Sequence, residues 1–113
     1  MSADCLFCRI AKGEIPSRKA YEDDDVVVFH DIHPAAPVHL LMIPRKHVGS
    51  LLDARPEHEA LFGKMLSLAP RLAKDQGCDN GFRVVINNGP DGGQEVLHLH
   101  IHILGGPRPW KRL

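Results

Sequence analysis

Residues 98–106, HLHIHILGG, decide the fold that we predict for this chain. Three histidines, His98, His100 and His102, alternate there with leucine or isoleucine. Because residues two apart in a β-strand point to the same face, we expect the three imidazoles to share one face, spaced by about 6–7 Å. The other face would then be apolar and belong to the core. Its residues would be Leu97, Leu99, Ile101 and Ile103.

The histidine segment is the last of five predicted strands, which are bounded by turn-forming residues. The five segments are RKAYED at 18–23, VVVFHD at 26–31, VHLLMIP at 38–44, FRVVINN at 82–88 and VLHLHIHIL at 96–104. A short helix is predicted within residues 5–16, and a long amphipathic helix begins near Pro56 and ends before Gly77. Strands interrupted by one long helix indicate an α+β fold with a mainly antiparallel sheet.

The composition is that of an ordinary globular protein. The 113 residues include 14 basic and 14 acidic side chains, so the formal net charge is zero. This length predicts a single domain spanning residues 1–113. A neutral balance favours neither a nucleic acid nor a membrane surface as a partner. Since no segment resembles a membrane span or a signal peptide, we expect a cytoplasmic protein.

Three alternating histidines indicate chemistry rather than a plain solvated strand. Imidazole binds metals and also acts as a nucleophile or proton carrier, so the pattern is consistent with a metal site or with phosphoryl or nucleotidyl transfer. The preceding loop, NNGPDGGQE at residues 87–95, contains three glycines that can bring backbone N–H groups close to an anion. The same loop is also typical of a hairpin turn.

The segment HLHIHIL resembles the motif of the histidine triad (HIT) family, and the resemblance extends over residues 13–48 and 87–106. It is closest to the branch of histidine triad nucleotide-binding proteins that hydrolyse purine nucleoside 5′-phosphoramidates. The resemblance implies a homodimer of HIT-like α+β subunits, each with a five-stranded antiparallel sheet. It also implies a purine nucleotide or nucleoside phosphoramidate as the ligand, and no organic cofactor.

The resemblance also implies roles for particular residues. His100 corresponds to the nucleophile that attacks the α-phosphorus, His102 to the residue that assists proton transfer, and His39 to a supporting histidine beside the phosphate. Asp31 corresponds to the carboxylate that accepts hydrogen bonds from both ribose hydroxyls. The remaining nucleotide-binding positions are Asn87, Gly93, Gln94, Glu95 and Val96 near the phosphate, and Leu6, Phe7, Ile10, Phe29, Ile32 and Leu41 around the base.

Glu95 departs from the family pattern, because several well-known members have serine at this position near the phosphate. A carboxylate there would repel a phosphate group unless it pointed into solvent. We therefore expect backbone N–H groups, rather than the Glu95 side chain, to contact the phosphate.

Cys5 and Cys8 form a Cys-x-x-Cys pair, and an odd total of three cysteines favours a metal or redox site over disulfides. Related nucleotidyltransferases hold zinc with such a pair, one intervening histidine and the first histidine of the triad. By this resemblance Cys5, Cys8, His47 and His98 would form a structural zinc site. The alternative is two free thiols in a short helix, with His47 on the surface.

Purine nucleoside phosphoramidate hydrolysis is thus the leading functional hypothesis. The alternatives are a non-catalytic nucleotide-binding or adaptor dimer, a dinucleoside polyphosphate hydrolase, and a metallohydrolase with zinc at the active site. The dinucleoside polyphosphate branch carries glutamine where His102 stands, which favours the phosphoramidate hydrolase.

Overall fold

The computed structural model describes residues 5–111 and contains a five-stranded antiparallel sheet. The strands are β1 (Lys19–Glu22), β2 (Val26–His30), β3 (Val38–Pro44), β4 (Phe82–Val85) and β5 (Ile101–Gly105), and the helices are α1 (Leu6–Ala11) and α2 (Glu59–Asp75). The strand order is β1-β2-β3-β5-β4. The predicted α+β fold, with its antiparallel sheet and one long helix, is confirmed.

Each face of the sheet packs against one helix. On one face α2 contributes Met65, Ala69 and Leu72 to a core that includes alternate residues of β2, β3 and β5. On the other face α1 contributes Phe7 and Ile10. Because side chains alternate along a strand, nearly continuous apolar runs such as Val26–His30 supply both cores.

Two histidines of the sheet, His39 and His102, lie on its α1 side. His102 stands opposite Leu41 in the β3–β5 ladder, and Leu41 belongs to the core that α1 covers. Directly opposite residues share a face, so His102 points towards α1. Ile101 and Ile103 point the other way and are buried under α2.

Strand β5 begins later than the sequence predicts, at Ile101 instead of residue 96. Its neighbour β3 ends at Pro44, which has no N–H group to continue the ladder. Leu99 donates instead to the carbonyl of Val48 at 2.7 Å. The strict alternation of side chains between the two faces of the sheet therefore does not extend upstream of Ile101. The prediction that Leu97 belongs to the core is wrong, because this side chain is 70% exposed.

Helix α2 follows a single 3₁₀ turn, Pro56–His58, and runs through Asp75. The spacing of Leu61, Met65, Leu68 and Leu72 in the sequence predicts one apolar face of this helix, and Met65 and Leu72 of that face are buried. The chain leaves the helix at Gly77, whose φ of +87° lies in the left-handed region that glycine adopts without a Cβ clash. The predicted end of the helix is confirmed.

The C-terminal segment folds back onto its own chain. The indole of Trp110 donates to the carbonyl of Gly106 at 3.0 Å, and the guanidinium of Arg83 lies 5.3 Å from the ring centroid. Neither helix between residues 5 and 111 has the length and apolar character needed to span a bilayer.

Candidate active site and metal centre

The three histidines of residues 98–106 separate into two neighbouring sites. His98 is completely buried and joins a cluster with two cysteines and His47. His100 and His102 instead line a cavity on the α1 side of the sheet, with ring centroids 5.0 Å apart. The shared face predicted from alternation therefore serves two different local environments.

The cluster of Cys5, Cys8, His47 and His98 has the spacing of a tetrahedral metal site. His98 Nδ1 lies 3.2 Å from Cys5 Sγ and 3.4 Å from Cys8 Sγ. His47 Nδ1 lies 3.2 Å from both Cys8 Sγ and His98 Nδ1. Zinc bonds of about 2.0–2.3 Å place neighbouring ligands of a tetrahedron about 3.3–3.8 Å apart. The observed separations of 3.2–3.4 Å lie at or just below this range. The cluster is therefore compatible with zinc, and four protein ligands would complete its coordination.

The chemistry of the donor atoms also fits zinc. His98 Nε2 lies 2.8 Å from the carbonyl oxygen of Pro44. Since a carbonyl only accepts, Nε2 carries the hydrogen and Nδ1 turns its lone pair towards the cluster. Burial, together with the hydrogen bond to Cys5, raises the pKa of Cys8 to about 11. A bound cation would displace that proton and satisfy the buried thiolate.

The cysteines attach helix α1 to the sheet. Cys5 is the N-cap residue of α1, and its Sγ accepts a hydrogen bond from the backbone N–H of Cys8 at 3.4 Å. With six residues, α1 is too short to persist by itself. Its position therefore depends on the apolar contacts of Phe7 and Ile10 and on the metal-compatible cluster.

Beside this cluster lies a cavity of about 580 Å³, a size suited to small-molecule ligands. Helix α1, strands β2, β3 and β5 and the loop before the triad form its walls. His100, His102 and Asp31 line it. So do most of the predicted nucleotide-binding residues, namely Leu6, Phe7, Ile10, Phe29, Ile32, Leu41, Asn87, Gly93, Glu95 and Val96.

Gln94 is not among the residues that line this cavity. Its Oε1 accepts from the backbone N–H of Gly89 at 2.8 Å, and its Nε2 donates to the carbonyls of Gly49 and Val96 at 2.7 and 2.9 Å. The side chain thus holds the glycine-rich loop in shape. Glu95 is exposed at the cavity edge, which is consistent with a carboxylate that stays in solvent.

Hydrogen bonding fixes the tautomer of His100. Its Nδ1 lies 2.8 Å from the carbonyl oxygen of His98, so Nδ1 donates and Nε2 keeps its lone pair. The ring of Phe7 packs edge to face against this imidazole, with centroids 5.1 Å apart at 82°. His100 is therefore a buried, oriented nitrogen base in the cavity wall.

His39 lies behind His102 and fixes its tautomer. The backbone N–H of Ala35 donates to His39 Nδ1 at 3.0 Å, so His39 Nε2 carries a hydrogen. That nitrogen donates to His102 Nδ1 at 2.9 Å, which leaves the hydrogen of His102 on Nε2. His102 Nε2 is buried and has no hydrogen-bond partner within residues 5–111. Burial and the neighbouring histidines lower the pKa of His102 to about 4, so the ring is a neutral donor at neutral pH.

Asp31 follows β2 and keeps acceptor capacity for a ligand. Its Oδ1 accepts from the backbone N–H of His33 at 2.8 Å, and Oδ2 lies 3.4 Å from His39 Nε2. Each carboxylate oxygen has two lone pairs, so both can accept a further hydrogen bond.

Four residues that the sequence analysis did not assign also line the cavity, namely Ile15, Pro16, Ser17 and His30. They come from the segment before β1 and from the end of β2. A single sequence carries no signal for these four residues, because the register of strand pairing is not visible in it.

Comparisons with known proteins identify the family. A model of the HIT domain matches residues 12–108. The chain belongs to the HIT family. Among curated HIT relatives, protein HitA of Neisseria gonorrhoeae is 55% identical over 104 residues, which cover 92% of this chain and 97% of HitA. The 14 kDa zinc-binding protein of Brassica juncea is 47% identical over 91% of this chain and 93% of its own length.

Solved HIT structures have the same fold. The HIT family hydrolase of Legionella pneumophila superimposes with a TM-score of 0.90 at 44% identity, over 93% of this chain and 95% of that chain. A histidine triad protein of Clostridium difficile gives a TM-score of 0.89 at 50% identity, over 94% and 93% of the two chains. The HIT family resemblance of the sequence is thus confirmed at the level of family and fold.

Proposed function

We propose that this HIT protein is a hydrolase of purine nucleoside 5′-phosphoramidates, in the branch of histidine triad nucleotide-binding proteins. The observation that carries the proposal is the pair of tautomers that face the cavity. His100 presents a nitrogen lone pair, and His102 presents an N–H donor that no described residue accepts. A nucleophile beside a proton donor is the arrangement that displacement at phosphorus requires.

In the first step, Nε2 of His100 attacks the α-phosphorus and the bond from phosphorus to the leaving nitrogen breaks. The proton on His102 Nε2 moves to the leaving amine. The negative charge left on the His102 ring is stabilised by the Nε2–H of His39, which donates to His102 Nδ1, until water returns a proton in the second step. The positive charge that develops on the His100 ring is stabilised by the carbonyl of His98, which accepts its Nδ1–H. The products are the free amine and a nucleotidyl-histidine.

In the second step, water attacks the same phosphorus and the bond to His100 Nε2 breaks. The proton lost by water returns to His102, so both histidines regain their starting protonation states and nucleoside monophosphate is released. The covalent intermediate divides one difficult displacement into two easier ones. The glycine-rich loop at Gly93 and Asn87 would contact the phosphate oxygens.

Nucleotide binding would use the rest of the cavity. Asp31 would accept hydrogen bonds from the ribose hydroxyls. The apolar surfaces of Phe7, Ile10 and Phe29 suit the faces of a purine base. Since Ile32 is highly exposed, a bound base would cover it and remove apolar surface from water.

The site of Cys5, Cys8, His47 and His98 would hold one structural zinc ion in this account. The donor spacing, the His98 tautomer and the relative named as a zinc-binding protein support it. Bound zinc would supply a cross-link between α1 and the segment before β5. It would take no part in the chemical steps. Reduced cysteine ligands suit a cytoplasmic location.

A homodimer is part of the same proposal. Strand β4 pairs with β5 and forms one edge of the sheet, with Phe82 38% exposed on it. An exposed sheet edge beside apolar side chains is a template for pairing with another chain. A second copy of this protein, presenting the same edge, would cover it symmetrically.

A substrate panel separates the proposed function from its alternatives. We expect purified protein to release AMP from adenosine 5′-phosphoramidate, at least about tenfold faster than it cleaves a dinucleoside polyphosphate, because His102 can protonate an amine leaving group. The measurement is initial rate by chromatography, with and without a chelator too weak to remove a metal ion from the four-ligand site of Cys5, Cys8, His47 and His98. AMP binding without turnover would favour an adaptor, and loss of turnover in the chelator would favour a metallohydrolase.

A further inference from the structure

Within residues 5–111, two buried side-chain polar atoms have no hydrogen-bond partner, and both belong to residues that line the same cavity. One is His102 Nε2, which the proposed reaction uses. The other is Ser17 Oγ, which the reaction does not use. Buried polar groups in folded proteins almost always have partners, because an unpaired one costs the free energy of its desolvation. Ser17 Oγ is therefore a second point of the cavity at which a ligand atom is expected.

The pairing of β1 with β2 shows which end of the cavity Ser17 occupies. Lys19 stands opposite Phe29, and the backbone N–H of His30 donates to the carbonyl of Arg18 at 2.9 Å. Continued past the ends of the two strands, to two residues beyond the Lys19–Phe29 pair, the same register would bring Ser17 opposite Asp31. Directly opposite residues in an antiparallel pair project to the same face with Cβ atoms about 4.5–5.5 Å apart. Ser17 is thus a neighbour of the Asp31 carboxylate in the cavity wall.

The two side chains are chemically complementary around a diol. An ionised carboxylate can only accept hydrogen bonds, whereas a serine hydroxyl can donate one. A ligand hydroxyl that donates its hydrogen to Asp31 keeps its oxygen lone pairs free to accept from Ser17 Oγ–H. A hydroxyl held in this way satisfies the unpaired Ser17 atom and uses the acceptor capacity of Asp31 at the same time.

We propose that Ser17 is a specificity-determining residue that donates a hydrogen bond to a ribose hydroxyl oxygen of the bound nucleotide, beside Asp31. This inference rests on the proposed function, because it assumes that a nucleotide occupies the cavity. A protein site that hydrogen-bonds a ligand hydroxyl discriminates against an analogue without that hydroxyl, because the polar groups of the protein are then left unpaired. Ser17 thereby contributes to the selection of ribonucleotides over deoxyribonucleotides.

The test compares binding of AMP, 2′-deoxy-AMP and 3′-deoxy-AMP to the wild type and to Ser17→Ala by calorimetry. We expect Ser17→Ala to weaken AMP binding by about 3–10-fold, the usual contribution of one hydrogen bond. Binding of one of the two deoxy analogues should change less than about twofold, because it already lacks the hydroxyl that Ser17 contacts. Ser67→Ala, on an exposed position of α2, is the matched control and should change none of the three affinities.

Two outcomes would overturn the assignment of Ser17. One is an equal effect of Ser17→Ala on the affinities for AMP and for both deoxy analogues. The other is a changed preference between AMP and GMP, while the ratio of the AMP affinity to the affinity of each deoxy analogue stays that of the wild type. Failure of the wild type to bind AMP at all would instead remove the proposed function. The two failures are therefore distinguishable in the same set of titrations.

Discussion

His100→Asn is expected to lower the rate of phosphoramidate hydrolysis by at least about 10³-fold, because it removes the nucleophile of the proposed reaction. The asparagine amide can still donate to the carbonyl of His98, as Nδ1 of the histidine does. The variant should therefore fold and keep its affinity for AMP within a few fold. The measurement is the steady-state rate of AMP release, together with AMP binding and thermal unfolding of the same samples.

The matched control for this variant is His33→Asn. The His33 side chain is exposed, and the residue serves Asp31 through its backbone N–H alone. We expect near wild-type rates from this control. A His100→Asn protein that retained more than about a tenth of the wild-type rate would show that another group attacks phosphorus.

Cys8→Ser is expected to abolish zinc binding and to release helix α1 from the sheet. Loss of a soft thiolate ligand reduces the zinc content from one ion per chain to less than about a tenth. The free energy of unfolding should fall by about 3 kcal/mol or more, because metal binding contributes directly to folding free energy. The sheet and α2 should still fold, since their core contains no residue of α1. Metal analysis and chemical unfolding measure these two effects.

Nucleotide affinity should fall in the same variant. Helix α1 supplies Leu6, Phe7 and Ile10 to the cavity wall, and Phe7 packs against His100. We expect AMP to bind at least tenfold more weakly, as about 1.4 kcal/mol of lost contact would give. The control is Cys78→Ala, because Cys78 is buried outside the cluster. Full zinc content in Cys8→Ser, or equal zinc loss in Cys78→Ala, would contradict the assigned ligands.

Much of the fold could be predicted from the sequence, because its signals are local. Apolar runs between turn residues predicted the strands, and the spacing of Leu61, Met65, Leu68 and Leu72 predicted α2. The start of β5 could not be predicted in this way. It depends on Pro44, the last residue of the neighbouring strand β3, where the hydrogen-bond ladder between β3 and β5 ends. Leu97 lies beyond this end of the ladder and is exposed.

The candidate site could be predicted only in part. Alternation placed the histidines together, but the separation of His98 from His100 depends on partners more than 50 residues away in the sequence, such as Cys5 and Pro44. The role of Gln94 as a loop support follows from three backbone contacts that no local pattern indicates. Ser17 reaches the cavity through the β1–β2 register, which a single sequence does not contain.

Mapping of the covalent intermediate tests the central claim most directly. The protein is mixed with adenosine 5′-phosphoramidate, quenched within one turnover in alkali, which preserves phosphorus–nitrogen bonds, and digested for tandem mass spectrometry. We expect one adenylyl group per chain on His100, and none on His98 or His102. An adenylyl group on another residue, or turnover without any adduct in the wild type, would contradict nucleophilic catalysis by His100.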